Sequence, residues 1–172
     1  MARLPLVFEA QVSPGMKLVY HRAVQPDFGL TATYQALFTS PEIASQLANL
    51  DAQLRDQAGL EPWVRFTVAL TVAHERDNQV LWDSFEPLAR QAGVRDTVID
   101  AIAAGTAPRG LLPKEGIWVH FAIEVLRNQV RDSTWQAITH LVGDSGVINL
   151  ALTVCYYEMM ARLNDAFGLG TG

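Results

Sequence analysis

His74, Asn78, Gln79 and Trp82 lie within nine residues of one another, at a polar break in a long apolar run. An imidazole titrates near neutral pH, so His74 is the best single side chain here for moving a proton, with Glu75, Asp77 or a carboxylate from a second subunit to orient it. Asn78 and Gln79 open the next helical segment, where an amide side chain caps free backbone N–H groups and unpaired N–H groups favour an anionic oxygen. Together they would hold a carboxylate or an enolate. Each residue also has a purely structural reading, His74 as a helix-end cation facing the last carbonyls and Asn78 as a plain N-cap. Arg22 and Arg65 are the cations to consider for carboxylate binding, against the alternative of solvated guanidiniums. His120 and Glu124, four apart, read as an exposed or interface pair.

These residues need helices to hold them. Thr31 to Phe38 is predicted as a short helix, and Ser40-Pro41 opens a longer one that carries Ile43, Leu47, Leu50 and Leu54 on one stripe and stops near Gly59. Pro62 starts a third, with Trp63, Phe66, Leu70 and Ala73 or His74 at helical spacing. His74 follows Phe66 by eight residues, a net rotation of about 80°, so it sits obliquely on the same side and beside the turn carrying Asn78. Further helices are expected from Gln79 to Ala92, ending at Gly93, from Thr97 to Ala104 behind an Asp96 cap, from Pro113 to Asn128, from Asp132 to Gly143, and from Gly146 to Phe167. Residues 1–30 carry Pro5, Pro14, Gly15, Pro26 and Gly29 and read as an irregular N-terminal arm lying over the body, with a weak strand signal at Leu18 to Tyr20. The expectation is an all-α, single-domain bundle of about seven or eight helices over residues 31–172.

Composition narrows the function. With 172 residues, 49% hydrophobic and 18% charged, the chain is long enough for one sizeable core and too apolar for disorder. A net charge of −5 with scattered basic residues argues against a nucleic-acid partner. The apolar stretch from Val147 to Tyr157 is short of the roughly 20 residues of a bilayer span, so no membrane partner and a cytoplasmic location are expected. One cysteine, Cys155, makes neither an internal disulfide nor a cysteine-rich metal cage, and in its apolar helix it reads as a small core hydrophobe. No phosphate loop, dinucleotide fingerprint or zinc-ligand helix occurs, so neither a cofactor nor a metal is expected.

Residues 64–94, VRFTVALTVAHERDNQVLWDSFEPLARQAGV, resemble the signature region of the carboxymuconolactone decarboxylase and alkylhydroperoxidase-like family. The resemblance extends upstream to ATYQALFTSPEIASQLANLDAQLR and downstream to VHFAIEVLRN and INLALTVCYYEMMARLNDAF, covering about residues 31–167. Its elements are Glu75, Asp77, Gln79, Trp82, Glu86, Pro87, Ala89, Ala92 and Gly93, then Phe121, Glu124, Leu126, Tyr157 and Asn164. In thiol-active relatives a glutamate, a cysteine pair and a histidine form a proton relay; those slots hold Phe66, Asn78, Leu81 and Phe85 here. Neither amide nor hydrocarbon replaces a thiolate, so thiol peroxidase activity is rejected.

The resemblance implies an alkylhydroperoxidase-like helical bundle and a homo-oligomer, trimer or hexamer. It also places Phe66, Leu81, Trp82 and Phe85 around a hydrophobic pocket and brings Tyr157 toward it. The implied activity is that of a cofactor-independent lyase or isomerase, decarboxylase-like, acting on a small and fairly hydrophobic carbonyl or carboxylate compound. In that scheme His74 gives the proton and Asn78 and Gln79 hold the oxyanion. The competing expectation is a non-catalytic ligand-binding or scaffold member in which the same slots are filled as core.

Overall fold

Three of the longer helices begin on a proline, and the fold is set by what those helices bury. In the computed structural model, which describes residues 2–56 and 59–170, the helices are α1 (Lys17–Ala23), α2 (Thr31–Leu37), α3 (Pro41–Asp56), α4 (Pro62–Glu75), α5 (Gln79–Gln91), α6 (Asp96–Ala103), α7 (Pro113–Leu126) and α8 (Asp132–Phe167). Pro41, Pro62 and Pro113 occupy the first helical position, where a missing N–H costs no hydrogen bond. No strand occurs among the described residues. The sequence signal at Leu18 to Tyr20 belongs to α1, a seven-residue helix whose Tyr20 and Ala23 are buried.

α4 is the central element. Every residue from Val64 to Ala73 is buried, and the helix packs against α5, α6, α7 and α8. A helix buried on all sides needs neighbours that cover it all round, and its few polar side chains, Arg65, Thr67 and Thr71, are buried with the rest. α8 supplies one wall through Val147, Leu150, Val154, Tyr157, Met160 and Ala161, at the three- and four-residue spacing of a single face. Gly143 adopts φ 75° and ψ 174° inside α8, so the 36-residue helix is two helices meeting at a sharp break, where the sequence places the end of its seventh helix. By length and composition alone α8 is apolar enough to cross a membrane, which the shorter Val147–Tyr157 stretch does not suggest. Its buried face is spent on α2, α3, α4 and α7.

Cys155 departs from its expected place. It is exposed, because the buried face of α8 runs through Val154 and Tyr157 and turns the thiol outward. Partial desolvation by its helical neighbours and the nearby Glu158 carboxylate nonetheless raise its pKa, which disfavours the thiolate.

The N-terminal segment is tied down at separate points. Arg3 N–H donates to the Phe167 carbonyl at 2.7 Å, Val7 N–H to the Gln35 carbonyl at 2.9 Å, and the Tyr20 hydroxyl to the Val7 carbonyl at 2.8 Å. Gly29, at φ 73°, packs so closely on Phe85 that a Cβ there would stand 2.6 Å from the ring. Only glycine satisfies both demands at that position.

Candidate functional site

The α4–α5 turn is built by two local devices. At the end of α4, Asn78 N–H donates to the Ala73 carbonyl at 2.9 Å and Asp77 N–H to the His74 carbonyl at 3.1 Å. Asp77 takes a left-handed φ of 48°. This is the Schellman arrangement, with aspartate where glycine is commonest. At the start of α5, the Asn78 side-chain oxygen accepts from Leu81 N–H at 3.0 Å, an N-cap. The Asn78 amide donates to the Ala161 carbonyl at 3.1 Å and to Asp165 Oδ1 at 3.0 Å, which ties the turn to α8.

This turn forms one wall of a cleft of about 380 Å³ lined by Ala73, His74, Asp77, Asn78, Gln79, Trp82 and Ala103. His74 is half-buried, its ring edge-to-face with Trp82 at 6.4 Å between centroids. Its Nε2 lies 3.4 Å from where a Cβ on Gly105 would stand, so the loop after α6 closes on the imidazole. Among the described residues the His74 imidazole has no hydrogen-bond or ionic partner. The first-turn amides of Gln79 and Val80 likewise have no acceptor among those residues, while Leu81 N–H is taken by the cap. The cleft therefore offers an unpaired imidazole, free N–H groups at a helix N-terminus and an aromatic wall.

The structure divides the predicted site residues. His74, Asn78, Gln79 and Trp82 line the cleft together. Asn78 does so with its side chain already satisfied, and the exposed Gln79 amide donates to Asp83 Oδ1 at 2.6 Å. Phe66, Leu81 and Phe85 do not line it: they are buried in the core, where Phe66 and Phe85 rings pack at 6.4 Å and Phe85 meets Tyr157 at 5.2 Å. The hydrophobic hollow that the resemblance implies is occupied by these side chains. Arg22 lies on α1 and donates to Asn49 Oδ1 at 2.5 Å, outside the cleft lining.

Arg65 and Tyr157 belong instead to a buried polar cluster that the sequence does not single out. Tyr34 and Tyr156 share a hydroxyl–hydroxyl bond of 2.7 Å, and Arg55 donates to the Asp51 carboxylate at 2.8 Å. Asp51 lies near enough to Tyr156, and Tyr157 near enough to Arg65, for each to feel the other electrostatically. Burial raises the Asp51 carboxyl pKa against the opposing pull of Arg55 and Arg65. Burial likewise pushes Tyr157 up to about 12, so it is a neutral phenol at physiological pH. The signal in the sequence is the Asp51–Arg55 spacing of four on an otherwise amphipathic helix.

Against this geometry stand the comparisons with known proteins. No family, no curated protein and no solved structure matches this chain. The functional reading therefore rests on the residues themselves. Among those described, no three His, Cys, Asp or Glu side chains converge as a metal ion would require.

Proposed function

We propose that the cleft at the α4–α5 turn is a proton-transfer site, and that the protein is a cofactor-independent, decarboxylase-like lyase or isomerase for a small carbonyl or carboxylate compound. The observation that carries this reading is the unpaired His74 imidazole in a cleft shared with the α5 N-terminus. In a decarboxylation beside a carbonyl, the bond to the carboxylate carbon breaks, carbon dioxide leaves, and the electron pair moves onto the carbonyl oxygen as an enolate. Free first-turn amides and the helix dipole favour that negative oxygen. The His74 imidazolium then returns a proton to carbon.

Other residues act by position. Asn78, its hydrogen-bonding groups engaged, fixes the first turn of α5, and Trp82 forms the flat wall against which a ligand lies. Tyr157, Phe66, Leu81, Phe85 and Arg65 support the helices from the interior. The polar lining favours a substrate smaller and more polar than the filled interior would have taken. The alkylhydroperoxidase-like assignment of the bundle, the trimeric or hexameric assembly and the cytoplasmic location are part of the same proposal. They rest on the resemblance of residues 31–167 and on the use of α8 as a packed core helix.

A second reading is a non-catalytic ligand-binding or scaffold protein. It is favoured by the solid packing of Phe66, Phe85 and Tyr157 where the resemblance implies a pocket. A screen of β-keto acids and lactones separates the two. Turnover that disappears on His74→Ala supports the enzyme, and binding without turnover in the wild type supports the second reading.

A further inference from the structure

A second cleft, of about 540 Å³, opens between α7 and the loop after α6, and three arginines line it: Arg109, Arg127 and Arg131. The whole chain carries a net charge of −5, whereas these three cations face only Glu75 and Glu124 across the cleft, a local excess of one positive charge. A small anion therefore meets a locally positive lining there despite the overall charge.

The two glutamates hold the guanidiniums by one edge and leave donors over. Glu75 takes only the Nη2 of Arg127, at 3.0 and 3.4 Å, which leaves Nη1 and Nε. Glu124 takes Nε of Arg131 at 2.6 Å, and Nη2 of Arg131 meets His120, which leaves Nη1. Arg109 is exposed and its guanidinium has no partner among the described residues. A guanidinium presents its donors in a flat fork that matches the oxygens of a carboxylate or a phosphate.

The scaffold is ordered. The α7–α8 turn closes through Gln129 N–H to the Glu124 carbonyl at 2.9 Å, with Asn128 at a left-handed φ of 55°. Arg131 N–H donates to Glu124 Oε2 at 3.1 Å. Glu124 pairs with His120, Oε1 to Nε2 at 2.9 Å, as their spacing suggests, but it is buried rather than exposed; burial pulls its carboxyl pKa up, yet hydrogen bonds from Arg131 help hold it below the ordinary range. It stays charged and keeps Arg131 in place.

We propose that this cleft binds a small organic anion through the free guanidinium edges of Arg109, Arg127 and Arg131, by a carboxylate or a phosphate group. The inference is independent of the His74 reading, because it concerns different residues and needs no turnover.

The test is a titration of the full chain with succinate and, separately, with inorganic phosphate, followed by amide and arginine side-chain NMR shifts, with sodium chloride as the ionic-strength control. Saturable shifts at the α7–α8 turn are expected, weakened at least tenfold by Arg109→Ala and again by Arg127→Ala. Arg22→Ala, on α1, leaves them unchanged. The tighter of the two probes assigns the group as carboxylate or phosphate. Arg109 is exposed, so its variant keeps the wild-type helical circular dichroism. Absence of saturable shifts with both probes, shifts reproduced by chloride at equal ionic strength, or binding undiminished in Arg109→Ala overturns the proposal.

Discussion

The imidazole of His74 stands edge-to-face against the indole of Trp82, ring centroids 6.4 Å apart and planes at 65°, across the turn that joins α4 to α5. One residue closes α4 and the other lies in the first turns of α5, so the relationship depends on the turn between them. Asn78 fixes that turn by capping α5 and bonding α8 at once.

Replacing Asn78 with Ala removes the cap and both contacts to α8. The expected loss is about 1–3 kcal/mol of stability, the cap supplying roughly 1 and the stranded buried partners the rest. Asn78→Asp keeps an acceptor for Leu81 N–H but brings a second carboxylate against Asp165, so it recovers only part of the loss. Urea unfolding followed by circular dichroism measures both, and an unchanged midpoint in Asn78→Ala would show that the turn is held by something else.

The hydroxyls of Tyr34 and Tyr156 meet at 2.7 Å in the core. Removing either leaves the other short of a partner, so Tyr34→Phe and Tyr156→Phe each cost about 1–3 kcal/mol. The double variant costs less than their sum, by roughly 1 kcal/mol of coupling. Additive losses in a double-mutant cycle would contradict a shared bond.

Two carboxylates tilt the stability profile in opposite senses. Burial raises the Asp51 pKa above its ordinary 3.8, so the native chain holds more protons than the unfolded one between the two values. Its contribution is full below 3.8 and is lost as pH rises through the native pKa. Glu115 is the reverse: bidentate hydrogen bonds from Arg95, at 2.6 and 2.7 Å, lower it below 4.5. Its contribution is full above 4.5 and is lost as pH falls through the native pKa. Unfolding midpoints measured from about pH 3 to 8 should show Glu115→Gln closest to wild type at the acid end, and Asp51→Asn without the decline that Asp51 imposes as pH rises. Parallel curves for wild type and both variants would refute the assignment.

Much of the helical frame was legible because its signals are local. Pro41, Pro62 and Pro113 mark three starts, Asn78 caps α5, and Gly143 breaks α8 where the sequence ends one helix. The grouping of His74, Asn78, Gln79 and Trp82 was legible for the same reason, since one turn carries all four. What depends on how helices rotate against one another was not. Tyr157, Arg65, Phe66 and Phe85 face the interior, and Cys155 faces outward from the same apolar helix that buries Val154. Arg127 and Arg131 stand only four residues apart, but they flank the α7–α8 turn rather than share a helix, and Arg109 reaches them from the loop after α6, a grouping that no single sequence pattern reveals. α1 was missed because prolines on both sides mask a short run that contains no breaker of its own.

His74 carries the central claim, and turnover in one substitution tests it. Rates of β-keto acid decarboxylation by wild type and His74→Ala, both checked for equal unfolding midpoints, are expected to differ by about a hundredfold or more. Equal rates in the two proteins, or a wild type that turns over none of these acids, would contradict it.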